Sequence, residues 1–554
     1  MRGPATGAWP TGAVPRALRT LGRLAGSHPL VPWLLAAVYV SIGIGNVLSD
    51  TFLNDEGLLA YYFAGMLWDA PFHVFFWQKS RPFLSLLYAP AAAGGLSIFL
   101  IAHVVVASFA GPLAAAVARI WDHRYPNLPA VLVLASPLLI AAGPAGVTNA
   151  DAVVLAVLAV WLAARGQVLP AGFVLGSLFF VRAELTLLVL ALAALGLFER
   201  RFRRVLVGIV AVPTAYWLLG ILFHRDLLWI VRYPPSLTSP NPAIPIFEQM
   251  ATPGGPGAVG PALLALTPAV GMAVLARWRR LPPMEWSTAA FALGFLLALR
   301  WIPFLGAFNF GSSPRYILPA LPFVALLASR TFTRWCDAGE PRWSAAWLAG
   351  FLVVAHWVDV QSGWPWLLLA VVVWSVLAAL ASERRPGLAA ALGVAATVAS
   401  VPGLLPATEL AVADMHPELA SAVAWLQDHP QVARARPVLT NMHLLATYAR
   451  RTAGAPPIDV RQIVPSDQRF EIAELTNPHV GQRDRILELL DRHYYATPVH
   501  PDALQPENLP QGALFVIVDD ARLEGVMPTP RWRPHLETLA TGSRWRILVL
   551  RSRR

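Results

Sequence analysis

The sequence predicts an all-α polytopic membrane protein with a small α/β domain at its C-terminal end. The chain has 554 residues, of which 56% are hydrophobic and only 14% charged, and its mean hydropathy is +0.54. A soluble core cannot bury so large an apolar fraction. The 21 tryptophans are typical of the aromatic belts at the two water–lipid interfaces. The single cysteine excludes an internal disulfide framework.

The net charge of +11 does not indicate nucleic-acid binding, because the arginines are dispersed in short clusters between apolar runs. Such clusters are typical of the cytoplasmic loops of membrane proteins. Residues 1–29 carry no acid and are predicted to form a cytoplasmic tail. A signal peptide is the alternative, but the apolar run that begins at Leu30 lacks a clear small-residue cleavage site, so a retained first helix is favoured.

Apolar stretches of about 15 to 24 residues recur along the chain, near the ~20 residues that a helix needs to cross a bilayer. About thirteen such spans are predicted. They cover residues 30–48, 96–119, 127–141, 149–165, 168–181, 184–198, 204–222, 260–276, 288–304, 315–330, 343–360, 363–381 and 387–405. The third to sixth are short, so they are also compatible with tilted or re-entrant segments.

The distribution of arginine predicts the orientation of these spans. With a cytoplasmic N-terminus, every second loop is arginine-rich, as the positive-inside rule requires. The clusters are Arg119/Arg124, Arg165, Arg200/Arg201/Arg203/Arg204, Arg277/Arg279/Arg280, Arg330/Arg334/Arg342 and Arg384/Arg385. This alternation predicts a transmembrane domain at 30–405, with extracytoplasmic loops at 49–95 and 223–259.

Residues 406–554 are predicted to form a separate extracytoplasmic domain. Segments with helical patterning alternate there with β-branched and aromatic runs. The helix-like segments are Glu418–Gln427 and Arg483–Arg492, and the strand-like ones are Pro437–Thr440, Ala513–Val518 and Trp545–Leu550. This alternation is typical of a small α/β domain.

Acids and bases collect in the loops that are predicted to face outwards. The only lysine of the chain, Lys79, lies among them. The set comprises Asp50, Asp55, Glu56, Asp69, His73, Lys79, Arg81, Asn149, Asp151, Arg182, Glu184, His224, Arg225, Asp226, Arg232, Glu248, Arg315 and Tyr316. A carboxylate can act as general base towards an acceptor, and cationic side chains can bind a phosphate. Charges at membrane depth are costly and mark functional sites.

Five short motifs resemble those of the GT-C superfamily of membrane glycosyltransferases. This superfamily includes protein O-mannosyltransferases and bacterial transferases of aminoarabinose to lipid A. The motifs are Asn54-Asp55-Glu56-Gly57 followed by Tyr61-Tyr62, Phe76-Trp77-Gln78-Lys79-Ser80-Arg81-Pro82, Asn149-Ala150-Asp151-Ala152, Val181-Arg182-Ala183-Glu184 and Ser313-Pro314-Arg315-Tyr316-Ile317-Leu318-Pro319. Their order and sidedness match over residues 30 to 405. The resemblance implies a cytoplasmic N-terminus, about a dozen spans and an extracytoplasmic C-terminal domain in a bacterial inner membrane.

The resemblance also implies roles for these residues. Asp55 would be the catalytic base of an inverting transfer of one sugar from a polyprenyl-phosphate donor to a lipid, polysaccharide or protein acceptor. Asp151 and Glu56 would be further acids of the active site. The donor phosphate would be bound by Lys79, Arg81, Arg182, Arg315 and Tyr316, while Glu184 and Gln78 would orient the acceptor. Gln78 stands where an acid is usual, which disfavours strict aminoarabinose specificity.

No cofactor is required by this mechanism. If a divalent cation such as Mg²⁺ or Mn²⁺ binds, Asp55, Glu56 and Asp151 are its expected ligands, although hard cations prefer more oxygen ligands than these three provide. Neither a P-loop nor a dinucleotide-binding fingerprint is present in the sequence.

Other interpretations remain open from the sequence. Asp55, Glu56 and Asp151 are also compatible with acids at helix N-termini, Lys79 with a snorkelling anchor, and Arg182 with a structural partner of Glu184. The chain as a whole is also compatible with a transporter or flippase of lipid-linked or anionic substrates. A glycan polymerase, a ligase and a non-catalytic scaffold of the cell envelope are the remaining alternatives.

Overall fold

The computed structural model describes residues 27–48, 55–77, 80–182, 185–233, 282–301, 318–338, 417–433, 437–440, 460–462, 476–493, 509, 511–518, 533–542 and 545–551. The α-helices of these residues are α1 (Val31–Leu48), α2 (Asp55–Asp69), α3 (Pro71–Phe75), α4 (Pro82–Ala93), α5 (Leu96–Ser108), α6 (Ala110–Ile120), α7 (Leu128–Leu134), α8 (Pro137–Ala142), α9 (Thr148–Ala164), α10 (Val168–Leu178), α11 (Thr186–Phe198), α12 (Arg204–His224), α13 (Trp229–Arg232), α14 (Pro283–Trp301), α15 (Leu321–Ala338), α16 (Pro417–Asp428), α17 (Pro430–Ala433) and α18 (Gln482–His493). The strands are β1 (Val438–Thr440), β2 (Val460–Gln462), β3 (Leu514–Val518), β4 (Leu536–Thr541) and β5 (Trp545–Leu550).

The chain divides into two compact units. The first comprises Met1–Asn54, Ser97–Ala215 and Leu237–Ala413, and the second comprises Asp55–Leu96, Tyr216–Ser236 and Asp414–Arg554. The second unit therefore combines segments of both loops that the sequence predicts to face outwards with the tail. The predicted domain boundaries stay predictions.

In the first unit, apolar helices pack through small side chains. Helix α9 packs against α6 and α10, and its alanines and valines from Ala152 to Val160 are almost completely buried. Helices α10 and α12 lie against each other at Gly172 and Gly208, where a Cβ on either glycine would lie 2.4 Å from backbone atoms of the other helix. Small residues at such crossings let two helix backbones approach each other in a membrane.

The predicted span 127–141 is not one helix. It consists of α7, which has seven residues, and α8, which has six, and the break lies at Ser136-Pro137. Pro137 has no N–H to continue a helix, and its ring disfavours helical backbone at Ser136, which is extended. From Leu138 to Val154 the described side chains are all buried.

A buried ion pair joins three segments of the first unit. The Arg330 guanidinium of α15 contacts both carboxylate oxygens of Glu285 in α14, with Nε 3.1 Å from Oε2, and Nη2 also donates to the carbonyl of Trp121 at 2.7 Å. Nearby, His123 lies 3.2 Å from the Ser329 hydroxyl. The arginine alternation assigns the ends of these segments to one membrane face, and the structure brings them together.

In the second unit, α2 packs along α4, and the Trp68 indole donates to the carbonyl of Ala89 at 2.9 Å. The tail contributes a five-stranded sheet with the order β2-β1-β3-β5-β4. Strands β1–β2 and β1–β3 are parallel, whereas β3–β5 and β4–β5 are antiparallel. Leu439, Phe515 and Leu550 belong to its core.

Apolar length and composition identify three helices of the described residues as long enough to cross a membrane, Val31–Leu48, Leu96–Ile120 and Arg200–His224. Shorter apolar helices include Thr148–Ala164 and Val168–Leu178. The predicted spans at 260–276, 343–360, 363–381 and 387–405 lie outside the described residues, so the count of about thirteen stays a prediction. The helical class and the C-terminal sheet are confirmed.

Candidate active site

Helix α2 begins with the predicted catalytic acids. Asp55 is its first residue and Glu56 its second, where the positive end of the helix dipole favours carboxylates. The side chain of Asp55 lies outside the described part of the structure, so its role as base stays a prediction. The side chain of Glu56 is described, and it is largely buried.

Glu56 forms an ion pair with Arg81. Arg81 Nη1 lies 2.5 Å from Glu56 Oε1, and their side chains are 29% and 12% exposed. A guanidinium has five N–H donors, so Arg81 can retain this pair and still donate to a phosphate. The structure therefore links two residues to which the resemblance assigned separate roles, and Glu56 is placed to orient Arg81.

The backbone at Arg81 is left-handed, with φ 53° and ψ 68°, directly before Pro82. This conformation is uncommon for a residue other than glycine and is often found at functional sites. Hydrogen bonds of the preceding residue hold the chain in place here. The Ser80 hydroxyl lies 2.7 Å from the carbonyls of Val74 and Trp77, and Ser80 is buried. Gln78 and Lys79, which belong to the same sequence motif, lie outside the described residues.

The first unit contains a separate buried polar cluster. Asp151, in the first turn of α9, is 1% exposed, and its Oδ2 lies 3.1 Å from Nδ1 of His103, which is completely buried in α5. Arg182, which follows α10 and is also buried, donates to the Thr148 hydroxyl at 3.3 Å. Ionisable groups buried among apolar helices are costly unless they are paired, and they mark functional sites.

Asn149 belongs to the same turn as Asp151. It is completely buried, and within the described part of the chain its amide nitrogen and oxygen have no hydrogen-bond partner. On α1, the Tyr39 hydroxyl donates to the carbonyl of Leu139 at 2.6 Å. The first turn of α9 thus carries three buried polar side chains, Thr148, Asn149 and Asp151, within an apolar unit.

Sequence reasoning missed His103. It lies in the apolar run of α5, and its ring packs on Phe99 one turn earlier, with centroids 4.6 Å apart. An isolated histidine in a predicted span is a sufficient signal to include it among candidates. The other predicted site residues, Glu184, Arg315 and Tyr316, lie outside the described residues.

The described residues provide no group of three His, Cys, Asp or Glu side chains that could hold a metal ion. Glu56 contacts a guanidinium and Asp151 an imidazole, and both are arrangements that compete with a cation. The metal ligand set of Asp55, Glu56 and Asp151 stays a prediction.

Two solved structures resemble the chain over almost its whole length. The superposition with ArnT from Cupriavidus metallidurans in the apo state covers 93% of this chain and 97% of the ArnT chain, at a TM-score of 0.57 and 15% identity. The superposition with the same protein bound to undecaprenyl phosphate covers 94% of this chain and 98% of the ArnT chain, at a TM-score of 0.56 and 16% identity. The chain has the ArnT fold. The resemblance predicted from the motifs is thereby confirmed at the level of the fold, and the apolar helices and this fold together indicate an integral membrane protein.

No family model and no curated protein sequence matches the chain. The ArnT fold is therefore recognised here through structure and not through overall sequence similarity.

Proposed function

We propose that this protein is a membrane glycosyltransferase that moves one sugar from a polyprenyl-phosphate donor to an acceptor outside the cytoplasm. The observation that carries the proposal is the ArnT fold over 93% of the chain, together with the undecaprenyl phosphate bound in one of the two similar structures. The buried Asp151 and Arg182 of the first unit and the partly buried pair of Glu56 and Arg81 in the second support it, because an enzyme that holds a phosphate at membrane depth needs such groups.

Asp55 is the proposed catalytic base. Its carboxylate takes the proton of the acceptor hydroxyl or amine while the acceptor atom attacks the anomeric carbon. The bond from that carbon to the phosphate oxygen breaks, and the polyprenyl phosphate leaves with the bonding electrons. Because attack and departure occur on opposite faces, the configuration at the anomeric carbon inverts.

The cationic residues bind the donor phosphate in this proposal. Lys79, Arg182 and Arg315 neutralise the charge that grows on the leaving phosphate, with Tyr316 as a further donor. Arg81 joins them with its orientation set by Glu56.

Two amide- or carboxylate-bearing residues, Glu184 and Gln78, are proposed to orient the acceptor. Asp151 with His103 supplies a second acid at the start of α9. A bound Mg²⁺ or Mn²⁺ is not needed for any of these steps.

The test is transfer of labelled sugars from a panel of polyprenyl-phosphate donors by the purified protein in liposomes that contain envelope extract. General bases contribute about 10²- to 10⁴-fold, so Asp55→Asn is expected to lose at least about 100-fold in rate. Asp122→Asn is the matched control, because Asp122 is exposed and its left-handed backbone suits asparagine equally well.

Transfer by the wild type that is lost in Asp55→Asn and kept in Asp122→Asn supports the proposal. Equal rates in a folded Asp55→Asn variant would remove Asp55 as the base. If the wild type transfers no sugar from a broad panel, the transporter or flippase alternative takes precedence, and movement of labelled lipid across the bilayer becomes the assay.

A further inference from the structure

Residues 476–493 of the tail form hydrogen bonds at the ends of three helices in the second unit. We call this stretch the capping segment; it consists of a short turn that begins at Asn477 and of helix α18. The last carbonyl groups of any helix lack a partner within that helix. Side chains that donate to these carbonyls therefore hold the helix end in place.

The first capped end is that of α12. The side-chain amide of Asn477 lies 3.3 Å from the carbonyl of His224, the last residue of α12, and 3.2 Å from its Nδ1. Both residues are buried, with 1% and 3% of their surface exposed. Arg225, the next residue, has a left-handed backbone that ends the helix.

The second and third capped ends belong to the first loop. The Gln482 amide donates to the carbonyl of His73 in α3 at 2.9 Å, and Gln482 is 1% exposed. The Arg485 guanidinium donates to the carbonyl of Asp69, the last residue of α2, at 3.2 Å. The Asp69 carboxylate also lies 3.8 Å from Arg492.

The turn that presents these side chains is braced internally. The Asn477 backbone N–H donates to Gln482 Oε1 at 2.9 Å, while Asn477 Oδ1 accepts from the backbone N–H of His479 at 2.9 Å. Gly481 closes the turn with φ +65°, where other residues would be strained. Asn477 and Gln482 thus each use the donor side of the amide on a helix end and the acceptor side within the turn.

Aromatic packing joins the same helix ends. Phe76 stacks on Phe223 with centroids 5.3 Å apart, and the edge of Phe223 meets the His73 ring at 5.2 Å. Burial and the nearby Arg485 lower the pKa of His73, while its hydrogen bond to the backbone of Val480 raises it. The lowered pKa favours the neutral form of His73.

We propose that the capping segment is the positioning element of the first loop. Its positioning residues are Asn477, which ties the segment to α12, Gln482, which holds α3, and Arg485, which holds the end of α2. By fixing the C-terminal end of α2, the segment fixes the direction of the whole 15-residue helix, whose other end carries Asp55 and Glu56. The consequence for catalysis rests on the proposed function, whereas the attachment of the capping segment to the three helix ends does not. The tail would then act on the reaction by holding the base in place, with no reacting group of its own.

The test combines two readouts on the full-length protein in lipid nanodiscs. The variants are Asn477→Leu, Gln482→Met and the double variant, and the control is Asp484→Asn, an exposed residue of the same helix. Hydrogen–deuterium exchange of residues 55–77 is measured by mass spectrometry. Loss of a helix cap is expected to accelerate exchange about tenfold in the double variant and not in the control.

The second readout is sugar transfer. If the capping segment positions α2, the double variant loses kcat while the KM for the donor stays unchanged, since the donor-binding cations are not altered. Unchanged exchange in a folded double variant would overturn the proposal, and so would faster exchange with an unchanged kcat. If the wild type transfers no sugar, the proposed function fails, and the exchange of residues 55–77 alone decides whether the segment holds the loop.

If the double variant does not fold, Arg485→Gln replaces it. Arg485 is partly exposed, so this variant is expected to fold, and it removes the hydrogen bond to the Asp69 carbonyl at the end of α2. Faster exchange confined to residues 55–77 supports the proposal, whereas exchange equal to that of the wild type contradicts it.

Discussion

Replacement of Glu285 by glutamine tests the buried ion pair of the first unit. The Glu285 side chain is 2% exposed and that of Arg330 is 19% exposed, so little water is available to replace the lost carboxylate. Removal of one partner of a buried pair costs ~3–5 kcal/mol, because the other charge stays buried without compensation. Arg330 keeps its hydrogen bond to Trp121 and some solvent contact, so Glu285→Gln is expected near the lower limit, about 3 kcal/mol.

Replacement of both partners separates the cost of leaving one charge buried without a partner from the contribution of the ion pair itself. When both partners are replaced, as in Glu285→Leu/Arg330→Met, no buried charge remains. Buried pairs exchanged for apolar residues are often close to neutral in stability. The loss of the donor to the Trp121 carbonyl adds about 1 kcal/mol, so the double variant is expected to be more stable than Glu285→Gln.

The assay is unfolding in mixed micelles by titration with SDS, followed by circular dichroism. Glu488→Gln is the control. Among the described residues, Glu488 pairs with Arg485 and Arg492 at the surface, so its removal should leave the unfolding midpoint unchanged. If Glu285→Gln unfolds at the wild-type midpoint, or if the double variant is the less stable of the two, the reasoning about a desolvated pair is refuted.

Two further predictions concern packing and pH. Gly208→Val is expected to lower the midpoint of thermal unfolding by several degrees, because its Cβ would lie 2.4 Å from the backbone of Gly172. Gly45→Ala is the control, because a Cβ there has nothing within 4 Å and should not lower the midpoint. Equal midpoints for the two variants would contradict the close helix contact. Burial, and next the charge of Arg330, lower the pKa of His123 to about 3, so the unfolded chain binds a proton near pH 6.5 that the folded chain refuses. The free energy of unfolding therefore has its full value above pH ~6.5 and decreases by up to ~5 kcal/mol as the pH falls towards 3. If the unfolding midpoint of a His123→Gln variant falls as much between pH 7 and 4 as that of the wild type, His123 is not the cause of the pH dependence.

Apolar length and charge alternation predicted much of the helical framework. The runs that became Leu96–Ile120 and Thr148–Ala164 are long and mostly apolar, with an arginine or acids near one end, so their bounds follow from the sequence within a residue or two. In the tail, β1, β3 and β5 were predicted because they are short apolar runs. Strands β2 and β4 were missed. Only Val460 is apolar among the three residues of β2, and β4 is an edge strand whose exposed polar side chains are also typical of a loop.

Contacts between distant segments could not be predicted from the sequence. Periodicity does not tell which face of a uniformly apolar helix meets a neighbour, so nothing in the sequence places His103 beside Asp151, 48 positions later. The ion pair of Glu56 and Arg81 was also not predictable, because it depends on how α2 packs along α4. The motifs thus predicted which residue types matter, and the packing decided which of them meet.

The break at Pro137 bears on how the chain enters the membrane during its synthesis. Helices α7 and α8 are about 10 Å and 9 Å long, so neither can cross a hydrocarbon core of ~30 Å alone. Backbone groups left unpaired at the break are tolerated at that depth only when protein surrounds them. These two short helices therefore cannot enter the bilayer by themselves. In a nascent chain cut after residue 147, Val31–Leu48 and Leu96–Ile120 should integrate, while a cysteine introduced between residues 128 and 142 should stay accessible to a water-soluble thiol reagent. In a chain cut after residue 233, which includes the neighbours α9 and α10, that cysteine should be protected.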